Sequence, residues 1–398
     1  MKKTLLIAAL AAFTMTSCSK DQVVETPQEA IKFSVVTANG TKASEVYCQN
    51  NLMNAFTVFA QTNTGAGFIT GSGDQIVAEG GAWKNATAMR YWPEAGSLNF
   101  YATVNGELTF NPSIEATAEV GVVNAFAPVE SVADQKDLLY AVATDQAKND
   151  GAVEMNFRHA LSQIEFRAQN LNPYLHVEIE KVKVGKVYSK GTYVLPNVST
   201  ATPFVDHTQE NTATLNRGNW KLDDATTDYE VQVYPTANLS GLEDFAAVYY
   251  NTANDVNLTC SIDAVDGTRD FSKSMLLLPT VSKNSDGLQA WSPAKNEGDF
   301  DGTYIGVYCI FYNVASGTAN AGNIVYLEEG WAYLPVDIKW EEGKKYIYTF
   351  KFTTDGNGGY TPDPDDPQEV LTPITYTVTV DDFEKGELEH DGDLTMKK

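Results

Sequence analysis

The chain is patterned for strands. Ile31, Phe33 and Val35 alternate with Lys32 and Ser34, and Phe56 and Val58 alternate with Asn54 and Thr57. Leu98, Phe100, Ala102 and Val104 are interleaved with Asn99, Tyr101 and Thr103. Tyr346, Tyr348, Phe350 and Phe352 alternate with Lys345, Thr349 and Lys351. The cleanest case is Ile374-Thr375-Tyr376-Thr377-Val378-Thr379-Val380, in which every other residue is apolar and each intervening one is threonine. A period of two places side chains on alternate faces. Each such strand has one face for a core and one for water or a polar cover.

Turn signals punctuate these runs: Asn39-Gly40, Asn105-Gly106, Asp150-Gly151, Asp266-Gly267 and Asp355-Gly356. Helical signal is sparse, and residues 130–148 fit a short helix or a loop. An all-β sandwich architecture follows. One strand breaks parity. Val153, Met155, Phe157 and Leu161 share a phase, whereas Ile164 and Phe166 fall in the opposite one. A β-bulge at residues 160–163 reconciles them, and so does a long strand that changes the face it buries.

A polar stretch at 148–151 suggests a domain boundary. Residues 355–373 (DGNGGYTPDPDDPQEVLTP) are too rich in Pro, Gly and Asp for a buried element and read as an extended, solvated hinge. No period of about 20–50 residues repeats, which speaks against solenoids and propellers. The length of 398 residues suits two or three domains. With 52 acidic against 28 basic residues and a formal charge of −24, the chain is a poor partner for nucleic acid or anionic lipid headgroups.

The first residues bear on compartment. MKKTLLIAALAAFTMTSC has a Lys2-Lys3 start and an apolar run from Leu5 to Phe13, too short to span a bilayer. It reads as a secretory signal over residues 1–17. Ser17-Cys18 resembles the lipobox of a bacterial lipoprotein, which makes Cys18 the lipidated first residue of the mature chain and ties the precursor to the outer membrane.

Candidate chemistry is thin. Cys48, Cys260 and Cys309 remain after Cys18; the number is odd and no CxxC spacing occurs, so neither a full disulfide framework nor a zinc site is expected. Cys309 lies in the apolar run VYCIFY and reads as a buried hydrophobe. His159, His176, His207 and His390 are far apart in sequence. His159 shares the inward phase of Phe157, so a satisfied core histidine is the expectation. The glycines of GAGFITGSG (65–73) lack a phosphate-cradling spacing. Those at 355–359 lack the acids of a calcium loop. No catalytic residue, metal or cofactor is expected. The tryptophans at 83, 92, 220, 291, 331 and 340 suit core packing better than a sugar platform.

Several stretches together resemble the fimbrillin family, the subunits of type V pili of Bacteroidetes-type bacteria. They are the lipoprotein signal followed by IKFSVVTANGTKAS, then AWKNATAMRYWP, LNFYATV, DLLYAVATD, EMNFRHALSQIEFRA, SMLLLPT and EEGKKYIYTFKFTTDG, and finally the hinge and last strand. The resemblance implies two tandem transthyretin-like β-sandwich domains and no enzymatic activity. The expected divisions are an anchored linker at 18–29, an N-terminal domain at 30–149 and a C-terminal domain at 150–354. The hinge at 355–373 and a strand with polar tail at 374–398 follow.

The resemblance and the pattern together give an expected mechanism. Residues 30–37 form the first strand of the N-terminal domain and bury Ile31, Phe33 and Val35. A trypsin-like protease cuts between Lys42 and Ala43 in an exposed loop. The lost strand opens a groove. Ile374, Tyr376, Val378 and Val380 of another pilus subunit fill it by strand addition. The product is an extracellular fimbrium that supports adhesion. The alternative is a surface lipoprotein that binds glycans through exposed aromatics.

Overall fold

The alternating stretches become strands because each has a core to face. A computed structural model describes residues 30–37, 53–86, 88–148, 151–170, 175–201, 217–240, 256–259, 261–262, 269–270, 274–281, 283, 286–292, 300–313, 330–352, 359–360, 369–370 and 375–382. The first half lays down β1 (Phe33–Thr37), β2 (Ala55–Thr62), β3 (Gly67–Glu79), β4 (Ala82–Asn85) and β5 (Ser97–Val104). Next come β6 (Leu108–Phe110), β7 (Gly121–Phe126), β8 (Leu139–Ala147) and β9 (Val153–His159). The second half continues with β10 (Ser162–Asn170), β11 (Leu175–Tyr188), β12 (Gly191–Val194), β13 (Asn219–Leu222) and β14 (Thr226–Ser240). Four short strands follow: β15 (Val256–Asn257), β16 (Ser261–Ile262), β17 (Arg269–Asp270) and β18 (Met275–Leu277). The last are β19 (Tyr304–Asn313), β20 (Gly330–Pro335), β21 (Lys344–Phe352), β22 (Gly359–Tyr360), β23 (Glu369–Val370) and β24 (Thr375–Asp382). The fold is all-β. Residues 130–148, read as a helix or loop, hold one 3-10 turn at Val132–Asp134 and then β8.

Seven strands close a barrel in the order β1-β4-β3-β2-β5-β8-β9. Its core contains Phe33, Phe56, Val58, Leu98, Phe100, Met155 and Phe157. A second core lies between the sheet β15-β10-β21-β24 and the sheet β14-β11-β19-β20-β22-β23, with Phe166, Val182, Val307, Tyr348 and Phe350 among its members. A four-stranded sheet, β13-β12-β7-β6, draws two strands from each half of the chain. It covers the outside of the barrel through a third core that includes Tyr101, Tyr140, Leu161, Tyr193 and Trp220.

That third core explains two departures from simple alternation. Tyr101, on the expected water face of β5, is buried 5.6 Å from Phe110 because the shared sheet lies over it. The parity break after His159 is a change of sheet. Val153, Met155 and Phe157 face the barrel core; Ala160 and Leu161 enter the third core; Ile164, Phe166 and Ala168 face the second. A pleated strand reverses the face it buries only when its phase slips, and here the slip coincides with the crossing. β9 thus belongs to the barrel. The chain leaves it at residues 160–161, beyond the polar stretch at 148–151 where composition suggested a boundary.

The crossing is fastened by a buried carboxylate. Glu342 is 3% exposed and accepts hydrogen bonds from Tyr140 Oη on β8 (3.1 Å) and Tyr193 Oη on β12 (3.2 Å). The next residue, Gly343, donates its N–H to Leu161 at 2.9 Å. Burial pushes the Glu342 carboxyl up to about 7, against the pull of Arg217, the two tyrosines and Arg158. Between its ordinary value of 4.5 and about 7, the folded chain keeps a proton that the unfolded chain releases. This contribution is complete below 4.5 and is lost as pH rises through 7. Each unit of difference corresponds to about 1.4 kcal/mol. Thermal melts of wild type and Glu342→Gln over that interval test this. The wild-type Tm should fall with rising pH more steeply than that of the variant, and parallel curves would show that Glu342 does not titrate there.

Candidate functional site

Strand β1 sits in the barrel as an inserted seam. Ile31 and Phe33 are each 9% exposed, and Val35 packs partly buried against the same core. The Phe33 ring meets Phe56 edge-on at 6.0 Å and Phe100 at 5.6 Å. Phe56 in turn contacts Phe157 at 5.1 Å and Trp83 at 5.3 Å. Without β1 these rings lose their cover and water reaches the barrel interior.

The two flanks of β1 differ. Toward β9 it forms a parallel ladder over five positions, from Phe33 opposite Val153 to Thr37 opposite Phe157. Val153 N–H also donates to Lys32 O at 2.8 Å. Toward β4 the ladder has a single position, Phe33 opposite Trp83. Residues 88–92 supply the remaining contacts on that flank. Ile31 N–H donates to Arg90 O at 2.8 Å, and Ala30 forms an antiparallel bridge with Tyr91.

Residues 88–92 are anchored at three points; at the first, Ala88 N–H donates to Asn85 Oδ1 at 3.1 Å. Trp92 is buried against Phe100, with ring centres 6.1 Å apart. Arg90 grips Asp74 through Nε at 2.7 Å and a terminal guanidinium nitrogen at 2.8 Å. Asn85 Nδ2 adds a third donor to Asp74 at 2.7 Å. These donors, Arg90 first, hold the Asp74 carboxyl below its ordinary range. Asp74 follows an irregular stretch of β3 in which Gly71 and Gly73 both have positive φ. A Cβ at Gly73 would lie 2.8 Å from the Phe59 ring, so glycine is required where β3 passes β2.

The other expected site residues are distributed as follows. Cys18, Lys42, Ala43 and Ile374 lie outside the described residues. Tyr376, Val378 and Val380 are on β24, in antiparallel register opposite Phe350, Tyr348 and Tyr346 of β21. The last ribbon is thus laid on the C-terminal sheet of its own chain, and it does not meet β1 within one molecule. His159 Nδ1 lies 2.6 Å from Asp137 Oδ2, both buried, as a satisfied core histidine. Cys309 is buried, and burial pushes its thiol up.

The tryptophans serve cores. Trp92, Trp220, Trp291 and Trp340 are buried, and Trp83 and Trp331 pack against buried clusters. The Lys183 ammonium sits 4.1 Å from the centre of the Trp331 ring and occupies that face. Among the described residues no three His, Cys, Asp or Glu side chains converge as metal ligands.

The sequence matches a fimbrillin-like family model over residues 36–285, well over half of the chain. The chain belongs to the fimbrillin-like family. A crystal structure of a fimbrial protein from Bacteroides vulgatus is similar with a TM-score of 0.52 and 14% identity, over 89% of this chain and 99% of that one. A candidate cell adhesion protein from Bacteroides uniformis aligns with 13% identity over 90% of this chain and 98% of its own, at a TM-score of 0.41. No curated relative matches the chain.

Two functional features of this fimbrillin-like chain escaped the sequence reading. One is the role of residues 88–92, whose available signal was a lone Arg90 among Met89, Tyr91 and Trp92; a cation in an apolar run needs a partner. The other is the Tyr140–Glu342–Tyr193 cluster, assembled from positions too far apart for any spacing rule. The slot itself yields a direct test. Phe33→Ala should destabilise the uncleaved chain by about 3–5 kcal/mol, as a lost buried phenylalanine does. Urea unfolding measures this through a lower midpoint, and a loss under about 1 kcal/mol would show that β1 does not close the barrel.

Proposed function

We propose that this chain is a structural subunit of a pilus, made as a lipoprotein precursor and polymerised by strand exchange. The barrel and the two-sheet unit behind it are read as two tandem transthyretin-like domains joined by the shared sheet. Cys18 carries lipid and holds the precursor at the outer membrane. A trypsin-like protease cleaves between Lys42 and Ala43, and the segment with Ile31, Phe33 and Val35 departs. The mature subunit then becomes part of an extracellular fimbrium that supports adhesion.

The observation that carries this reading is β1 itself: a strand from near the start of the sequence completes the barrel core with a full ladder on one flank only. A removable seam suits exchange, and family membership supplies the context. The last ribbon fits the vacancy by pattern. Ile374, Tyr376 and Val378 repeat the spacing and nearly the sizes of Ile31, Phe33 and Val35. With Val380, four such side chains at roughly 1.5–3 kcal/mol each give about 6–12 kcal/mol gross. Ladder hydrogen bonds add to this and ordering of the strand subtracts. Transfer from tail to head does not close on itself, so the product is a filament.

Three preparations test the scheme. Sequencing of surface-extracted protein should give an N-terminus at Ala43, and Lys42→Ala should leave an uncut, lipid-anchored monomer. Normal filaments from that variant would exclude this cleavage. A chain lacking residues 371–398 can accept a strand but give none, so after cleavage it should remain monomeric by light scattering. Polymers of wild-type length from it would remove 374–380 as the donor.

A further inference from the structure

We propose that residues 88–92 are a latch over the first strand, held shut by the Arg90–Asp74 ion pair. The inference deepens the strand-exchange reading by naming what retains the strand before release. It rests on the asymmetry of the β1 flanks. On the β9 side the five-position ladder is continuous. On the β4 side the ladder has one position, and the Ile31–Arg90 hydrogen bond and the Ala30–Tyr91 bridge make up the rest. Those last two contacts exist only while residues 88–92 lie alongside.

The fastening is built for that task. The Asp74 side chain is 5% exposed, set into the barrel wall where β3 bends at its paired glycines. The Arg90 side chain is 43% exposed and reaches it from outside. A two-point guanidinium–carboxylate grip fixes direction as well as distance, so the Arg90 carbonyl is held toward Ile31. Met89 and Tyr91 on either side are exposed and leave Arg90 as the charged anchor of the segment, with Trp92 as the apolar one and the Ala88 N–H bond to Asn85 at its start. Loosening the Arg90 anchor frees the Ile31 and Ala30 contacts, while Phe33 stays opposite Trp83 and the barrel core keeps Trp92. The strand is then held along its edges by its β9 ladder and that single β4 position.

Hydrogen–deuterium exchange read by peptide mass spectrometry on the uncleaved full chain tests the latch. In Arg90→Gln the amides of residues 30–37 should exchange at least about tenfold faster, the factor that one charge-assisted hydrogen bond is worth. Those of β5 and β21 should keep their wild-type rates. Removing Arg90 strands a buried carboxylate, so Asp74→Asn/Arg90→Gln serves as a second variant, uncharged and free of that cost. It should accelerate the same amides. Wild-type exchange at 30–37 in both variants overturns the latch, as does equal acceleration of all barrel strands, which marks general loosening. The readout needs no polymer. Faster exchange at 30–37 in a chain that keeps its first strand after cleavage supports the latch and counts against strand exchange.

Discussion

The packing of Phe33 between Phe56 and Phe100 is the contact on which the N-terminal unit depends. A barrel of seven strands buries its interior only when the seventh is present, and here the seventh comes from the first stretch of described chain. Its hold is of two kinds. Apolar burial anchors Ile31 and Phe33 from inside, and that attraction has no direction. Backbone pairing fixes the strand along its flanks, and there the hold is lopsided. Another strand of similar pattern can replace the first kind of contact. The second requires rims on β9 and β4 that are unpaired, and in this structure β1 occupies them.

The second constraint is the joint between the two units. β6 and β7 from the first half pair with β12 and β13 from the second, so the boundary is itself a sheet. The Tyr140–Glu342–Tyr193 cluster sits against that joint, near the residues where the chain changes cores. A carboxylate in such a place is costly to bury unless its oxygens are met by donors, and both are. The two units are therefore held at a fixed relation by directional contacts as well as by apolar burial.

The strands and their inward faces were legible in the sequence because period-two alternation follows directly from the pleat. Ile31, Phe33 and Val35, the β5 series and the β21 series all face cores as their phase requires. Tyr101 broke the pattern for a reason no local window contains: a second sheet, made partly from residues around 191 and 220, covers the barrel from outside. The phase slip between Phe157 and Ile164 was visible, yet its cause needed three cores to be seen together. The slot was readable as an alternating strand. Its fastening was not, because Arg90 and Asp74 meet only through the turn geometry of β3 and β4.

The pairing of β1 with β9 also spans most of the N-terminal half of the chain. Residue 33 finds its ladder partner at residue 153, with the other barrel strands lying between them in the chain. Hairpins such as β2–β3 and β3–β4 can form from neighbouring segments, whereas this parallel contact closes a long loop and is intrinsically slow. The seam is thus the longest-range pairing in the barrel, made across a span that the hairpin pairings do not need. Chain connectivity therefore does little to bring β1 to its slot, and a strand from elsewhere would face a similar search.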